Sequence, residues 1–343
     1  MKALHVGTGS RIASLKTVAI TVIANSNILK RRIVALFFIV INPELCFATP
    51  YAYITNQGEN TVHVVDLSTH QVFAEIEVGA DPAGVAISHK RDKVFVTNPT
   101  GESLSVISVT DNTVVATIPI EGTPLGIAAN PVRAEIYIAD WDNARVLKLN
   151  SDTHEISGEI RVGKTPTGLE VSADGGLLFV ANRDDNSVSV VDLLTDKTLH
   201  TIAVGRAPFG LTLSQDGQFL FTANVQSSDV SIIDTSSFEV AANVTVGEFP
   251  YAIAHHAESG NLYVSNQQES TVSVVDLHTK TEVKKIDVGD YPEGIAILEQ
   301  DSKVYVANWF SNTLSVIDTQ QLDVVDTIDV GEGARAFGKF ILQ

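Results

Sequence analysis

The chain has one cysteine, Cys46, one methionine, Met1, and two tryptophans in 343 residues. Beyond residue 48 no cysteine remains, which excludes disulfides, thiolate metal sites and haem attached through Cys-x-x-Cys-His from that part. Basic residues are scarce as well. Lys and Arg number 23 against 41 Asp and Glu, a formal charge of −18. Residues 49–343 alone hold 17 basic and 40 acidic residues, a formal −23. That disfavours general nucleic-acid binding, which needs Lys and Arg to neutralise phosphates, and adsorption to anionic membranes. Beyond residue 48 no apolar run is long enough for a membrane helix.

What is abundant is repetition. Tyr53-Ile54-Thr55-Asn56, Phe95-Val96-Thr97-Asn98, Tyr137-Ile138-Ala139-Asp140, Phe179-Val180-Ala181-Asn182, Phe221-Thr222-Ala223-Asn224, Tyr263-Val264-Ser265-Asn266 and Tyr305-Val306-Ala307-Asn308 each start 42 residues after the previous copy. A fixed period of this size marks a repeat architecture. Each motif is followed by two further short, β-branched runs, a link that reads Gly-x-x-Pro-x-Gly at Gly79–Gly84, Gly163–Gly168, Gly205–Gly210 and Gly289–Gly294, and a fourth apolar run. Runs of this kind between turn residues read as strands. Asp174-Gly175, Asp216-Gly217 and Ser259-Gly260 precede motif copies and supply the positive φ of tight hairpins.

Four antiparallel strands per unit, repeated radially, predict an all-β, seven-bladed β-propeller. The 295 residues after position 48 are one more than seven units of 42. The first unit lacks the strand that precedes the motif, and residues 335–342 align with that strand, so the C-terminal strand is expected to complete the first blade and close the ring. An open solenoid is the alternative, but it would need polar capping repeats, and none is present.

The N-terminus reads as an address. Lys30-Arg31-Arg32, an apolar run over 33–41, Asn42-Pro43 and Cys46-Phe47-Ala48 make a secretory signal over 30–48, with cleavage after Ala48. Residues 1–29 do not fit a leader and point to a start assigned too far upstream. Leu directly before Cys46, with Pro43 three places before it, argues against a lipoprotein signal. The expectation is an exported, periplasmic or cell-surface domain over 49–343.

The aromatic-Val-Thr/Ala-Asn motif, the Ser-Val-x-Asp of the next run and the Val-Gly-x-x-Pro-x-Gly link resemble the YVTN-family β-propeller repeat proteins over residues 51–342. The resemblance implies an exported or cell-surface protein. Some related seven-bladed proteins are lactonases and others are subunits of quinoprotein dehydrogenases, so it does not fix an activity. The chain departs from the pattern at Ala334 and Ala336, which replace Pro and Gly of the link, at Asp140 in place of Asn, and at Ser108 in place of Asp.

Positions alike in every repeat are architectural, and those that vary are free for function. The recurrent Asp66, Asp192, Asp234, Asp276 and Asp318 read as turn-forming carboxylates rather than a calcium ring. The residue after the motif varies and holds both tryptophans, Trp141 and Trp309, while the residue between Pro and Gly of the link should ring the channel mouth. Together these give a candidate ligand-binding arc of Phe209, Phe249, Tyr251, Tyr291, Glu293, Trp309, Phe310 and Arg335. A second sector holds Trp141, Arg183, Arg145 and Arg206 among Asp142, Asp184 and Asp185. Aromatics with arginine are the usual composition of a recognition surface, and ordinary loop packing is the alternative. Glu170 stands where other repeats have small residues and is a candidate lone acid or base in the channel. The histidines show no zinc spacing, and neither a Gly-x-Ser-x-Gly elbow nor a phosphate loop is present. No cofactor, metal or catalytic residue is expected. The preferred reading is a monomeric, non-enzymatic binding or scaffold protein that recognises a ligand or envelope partner on one face. A lactonase- or lyase-like enzyme and a passive coat component are the alternatives.

Overall fold

The computed structural model describes residues 49–343; the expected signal, the upstream segment and Cys46 lie outside the described residues. Seven sheets appear in chain order, six of four strands and one of five. In the fourth blade, for example, the strands are Pro166–Val171, Leu177–Asn182, Ser187–Asp192 and Lys197–Ala203, each antiparallel to the next. The first strand of each blade contacts that of the next and lines the central channel, so the expected seven-bladed propeller is the fold.

Burial explains why each strand has its sequence. The second and third strands of a blade are covered on both faces by neighbouring blades, so nearly every residue in them is buried, as in Phe219–Asn224 and Ser187–Asp192. Such strands do not alternate apolar and charged residues; they are apolar with small polar side chains such as Ser187 and Ser189 that find hydrogen-bond partners inside. The outermost strands face solvent and alternate, as Thr113–Pro119 does. The motif aromatics Tyr53, Phe95, Tyr137, Phe179, Phe221, Tyr263 and Tyr305 are all at most 1% exposed and form the core between blades.

The motif asparagine anchors the turn after it. Asn56 Nδ2 donates to Thr61 Oγ1 at 3.0 Å, and Asn182 Nδ2 donates to both Ser187 Oγ at 3.1 Å and Ser189 Oγ at 2.9 Å. Neighbouring blades are stitched by the hydroxyl before it. Thr55 Oγ1 donates to the Ala83 carbonyl at 3.1 Å, Thr97 Oγ1 to Leu125 at 2.8 Å and Ser265 Oγ to Glu293 at 2.7 Å. The recurrent aspartates accept backbone N–H groups two and three residues on; Asp192 Oδ1 takes those of Leu194 at 2.7 Å and Thr195 at 3.0 Å. The glycine of the link is needed because the next inner strand passes against it: a Cβ on Gly210 would lie 2.5 Å from the Tyr251 carbonyl oxygen.

Ring closure differs from one continuous strand over 335–342. Arg335 N–H donates to the Thr55 carbonyl at 2.9 Å, and Ile341–Leu342 pairs antiparallel with Tyr51 and Ala52, so the tail does complete the first blade. Between these contacts Phe337–Gly338 leaves that blade and pairs in parallel with Gly84 and Val85 of the second, giving the five-stranded sheet. The reason lies in the inner strands generally. Their pairing shifts just after the link proline, as between Pro166 and Leu169, and the middle residues lean toward the next blade. With Ala334 and Ala336 in place of Pro and Gly, the closing segment carries the same shift further.

Candidate functional site

Both variable positions lie on one face of the propeller. The loop after each motif is hydrogen-bonded to the preceding link, as where Trp309 N–H donates to the Tyr291 carbonyl at 3.0 Å and Gln267 N–H to Phe249 at 2.9 Å. A cavity of about 370 Å3 opens on this face at the channel mouth. Trp141 and Arg183 line one side, Phe209 and Tyr251 the floor, and Phe249, Glu293 and Arg335 the other side. The structure thus brings parts of both predicted sectors into one pocket.

The floor is a stack of rings. Phe209 lies 4.3 Å from Tyr251, centroid to centroid, and 5.2 Å from Phe337, with Trp141 at 6.3 Å. Phe337 faces the cavity at the other end of the channel, so these rings separate the two mouths. Arg183 lies over Trp141 at 5.6 Å and is held by Asp184 Oδ1 at 2.6 Å. Its guanidinium therefore presents both charge and a flat face beside the indole.

The far wall is a buried polar group. Arg335 Nε lies 2.7 Å from Glu293 Oε2, Arg335 Nη2 donates to the Tyr251 hydroxyl at 2.5 Å, and Gln267 Nε2 donates to Glu293 Oε1 at 2.7 Å. The Nε–Oε2 approach is off-line, and neither atom makes a well-directed hydrogen bond. Burial pushes the Glu293 carboxyl above its usual range, and the Arg335 charge opposes that rise. Burial alone would lower Arg335, but Glu293 and Tyr251 outweigh it and raise it further. Burial likewise lifts the Tyr251 phenol, which stays protonated at neutral pH.

Phe249 and Tyr291 have φ of 57° and 60°, in the left-handed region, at a link position that is Gly333 in another blade. Asp81, Thr165 and Ala207 take the same φ at this position, so the conformation belongs to the repeat, and an aromatic residue there costs roughly 1–2 kcal/mol.

The remaining candidates lie apart from the pocket. Tyr291, Trp309 and Phe310 form their own cluster, with centroids 4.4–5.8 Å apart, and Trp309 Nε1 donates to Gln57 Oε1 at 3.0 Å. Phe310 is 60% exposed. Arg206 is exposed and donates to the Gln226 carbonyl at 2.7 Å. Arg145 is turned inward to Asp140, Nε to Oδ2 at 2.8 Å. Glu170 is buried at the opposite mouth and pairs with Lys339. Sequence reasoning did not single out Thr123, Val225 or Gln267 as lining residues. Val225 and Gln267 occupy the same post-motif position as the tryptophans, which was signal enough to include them.

The family model of the cytochrome D1 heme domain matches residues 138–256, and that of the YNCE-like beta-propeller matches residues 250–331. No curated protein matches the chain. Among solved structures, Kuenenia stuttgartiensis hydrazine synthase is 19% identical with a TM-score of 0.69, over 82% of this chain and 99% of that one. A functionally unknown protein from Desulfotomaculum acetoxidans is 19% identical with a TM-score of 0.72, over 84% and 99%. Dihydro-heme d1 dehydrogenase NirN in complex with DHE is 14% identical with a TM-score of 0.62, over 82% and 73%. At these identities the likeness is one of fold. The chain is a seven-bladed β-propeller, similar over two partly overlapping stretches to the cytochrome D1 heme domain and the YNCE-like beta-propeller.

Proposed function

We propose that this chain is an exported binding propeller of the YVTN kind, and that its face pocket takes a flat, conjugated organic acid. The observation that carries this is the convergence of Trp141, Phe209, Phe249 and Tyr251 from separate blades, with Arg183 stacked on the indole. The rings would grip the ligand by its faces, and Arg183 and Arg335 would meet its acid groups. Glu293, the carboxylate of this pocket, is committed to Arg335 and Gln267, which favours binding over acid–base chemistry there.

Tetrapyrroles are the first class to test. The stretch similar to the cytochrome D1 heme domain, residues 138–256, contributes Trp141, Arg183, Phe209, Val225, Phe249 and Tyr251 to the pocket. An iron-ligating haem site does not fit. Histidine is absent from the pocket lining, cysteine and methionine are absent from residues 49–343, and the Tyr251 hydroxyl is held as a phenol by burial and bonded to Arg335. A tetrapyrrole would be held here by its ring faces and carboxylates.

The test is equilibrium binding of a metal-free dicarboxylic porphyrin. Trp141→Ala or Arg183→Ala should each weaken it by tenfold or more. Phe249→Gly should weaken it similarly while thermal stability changes little, because relief of the positive φ offsets the lost ring. Equal affinity in all three variants, or no binding by the unaltered protein, would overturn the proposal.

A further inference from the structure

The opposite mouth of the channel holds a larger cavity, about 630 Å3, that the face pocket does not use. Its inner wall carries apolar side chains, among them Ile127, Leu169, Leu211 and Ile295, its rim carries polar ones such as Ser88, Ser214 and Gln215, and Phe337 lies between it and the face pocket. Into these walls the fourth blade inserts one carboxylate. The other inner strands carry Ala86, Ala128, Thr212, Ala254 and Ala296 at that register, and this blade carries Glu170. Glu170 is 6% exposed.

A carboxylate so far from water needs a cation. The one it has is Lys339, whose Nζ lies 2.5 Å from Glu170 Oε1. Lys339 belongs to the closing segment, three blades away around the ring, and its side chain is 72% exposed. The pair therefore spans the mouth: a fixed, buried anion met by a flexible, solvated cation. The other charged and titratable side chains facing the cavity are those of His89, Arg91 and His255. Arg91 Nη1 is engaged by the Gln343 carbonyl oxygen at 2.6 Å, and burial holds His255 below its usual range, so neither competes for Glu170.

We propose that this mouth is a binding site for a primary ammonium carried on a compact apolar body, with Glu170 as its counter-charge and Lys339 as a displaceable stand-in. An entering ammonium restores the charge balance that Lys339 supplies, frees the lysine to solvent and packs its apolar part on the channel wall. An anionic ligand of the same shape would lie beside Glu170 or take Lys339 from it. Either leaves a buried negative charge unpaired, which selects against it.

Benzylammonium, benzyl alcohol and benzoate share one shape and differ in charge. Calorimetric titration at pH 7 should show saturable binding of benzylammonium, at least tenfold tighter than either control. Glu170→Gln should abolish the preference, and Lys339→Ala should tighten benzylammonium several-fold by removing its competitor. Trp141→Ala, in the other pocket, should leave the titration unchanged. If Glu170→Gln fails to fold, Lys339→Ala decides alone. Tighter binding of benzoate, or a Lys339→Ala protein that melts lower and binds benzylammonium no better, would reduce the pair to a structural strut and overturn the proposal.

Discussion

At the scale of single residues, the departures from the repeat are the most instructive. Asp140 replaces the motif asparagine of six other blades, and five positions on, where those blades have Thr61, Ser103, Ser187, Asp229, Thr271 and Thr313, this one has Arg145. The two substitutions answer each other. A fully buried carboxylate accepts from Arg145 Nε at 2.8 Å, and the guanidinium also reaches Glu159 Oε2 at 2.8 Å and the Glu121 carbonyl at 2.7 Å. Hydrogen bonds to Asp140 and Glu159 raise Arg145, with burial opposing and the two charges adding to the rise. Asp140→Asn should cost about 1–3 kcal/mol, because the guanidinium loses its buried counter-charge and keeps only the exposed Glu159. Adding Arg145→Ser, which restores the pair used elsewhere, should recover most of that loss, a coupling that a double-mutant cycle of melting free energies would measure. Additive losses would show that the two positions are independent. The sequence exposed Asp140 as an exception, but Arg145 read as a surface cation in a candidate site. One-dimensional spacing does not say that a strand's first residue turns back under its own hairpin.

At the scale of elements, turns and the closing segment carry the weight. Asp192 and Asp234 each cap the turn after a third strand, and both carboxyls sit below their usual range. The causes are the backbone N–H groups of Thr195 and Leu194 for the first, and the Ser236 hydroxyl followed by the backbone N–H groups of Ser237 and Ser236 for the second. A depressed carboxyl contributes stability above its unfolded pKa and loses it as pH falls through the folded value. The melting temperature should therefore drop below about pH 4, and Asp192→Asn with Asp234→Asn should flatten that drop while keeping the turns. Parallel acid profiles for the two proteins would contradict this. The closing segment makes a harsher test. Phe340 is fully buried in the cluster between the first and last blades, and its carbonyl accepts Tyr53 N–H at 2.9 Å. Phe340→Ala should cost about 3–5 kcal/mol, read as a lower melting point, where an outer-strand change such as Val115→Ala costs under about 1 kcal/mol. That the tail closes the first blade was legible from alignment with the repeat. Its detour to the second blade was not, because two alanines in place of Pro and Gly give no hint of direction.

At the scale of the whole molecule, the repeat and the pocket follow different logics. Seven unbroken units of 42 residues fix the propeller, since each blade buries its neighbour's strands and every copy states the same pattern again. The site depends on what the copies do not share. Variable positions identified Trp141, Arg183, Phe209, Phe249, Tyr251, Glu293 and Arg335, all of which line one cavity. They also identified Tyr291, Trp309, Phe310 and Arg206, which lie apart from it, because equal register places residues at equal radius without saying which way a long side chain swings. Arg183 and Arg335 at this mouth are each paired, with Asp184 and Glu293, so in a chain of formal charge −18 they offer directed donors rather than a net positive field. Trp309→Phe leaves Trp141, at the pocket wall, as the one tryptophan of the protein, and titrating that variant with a metal-free dicarboxylic porphyrin reads the pocket directly. The account predicts saturable quenching of Trp141 emission that is lost with Arg183→Ala. Unchanged emission across the titration, or quenching that survives the loss of Arg183, would contradict it.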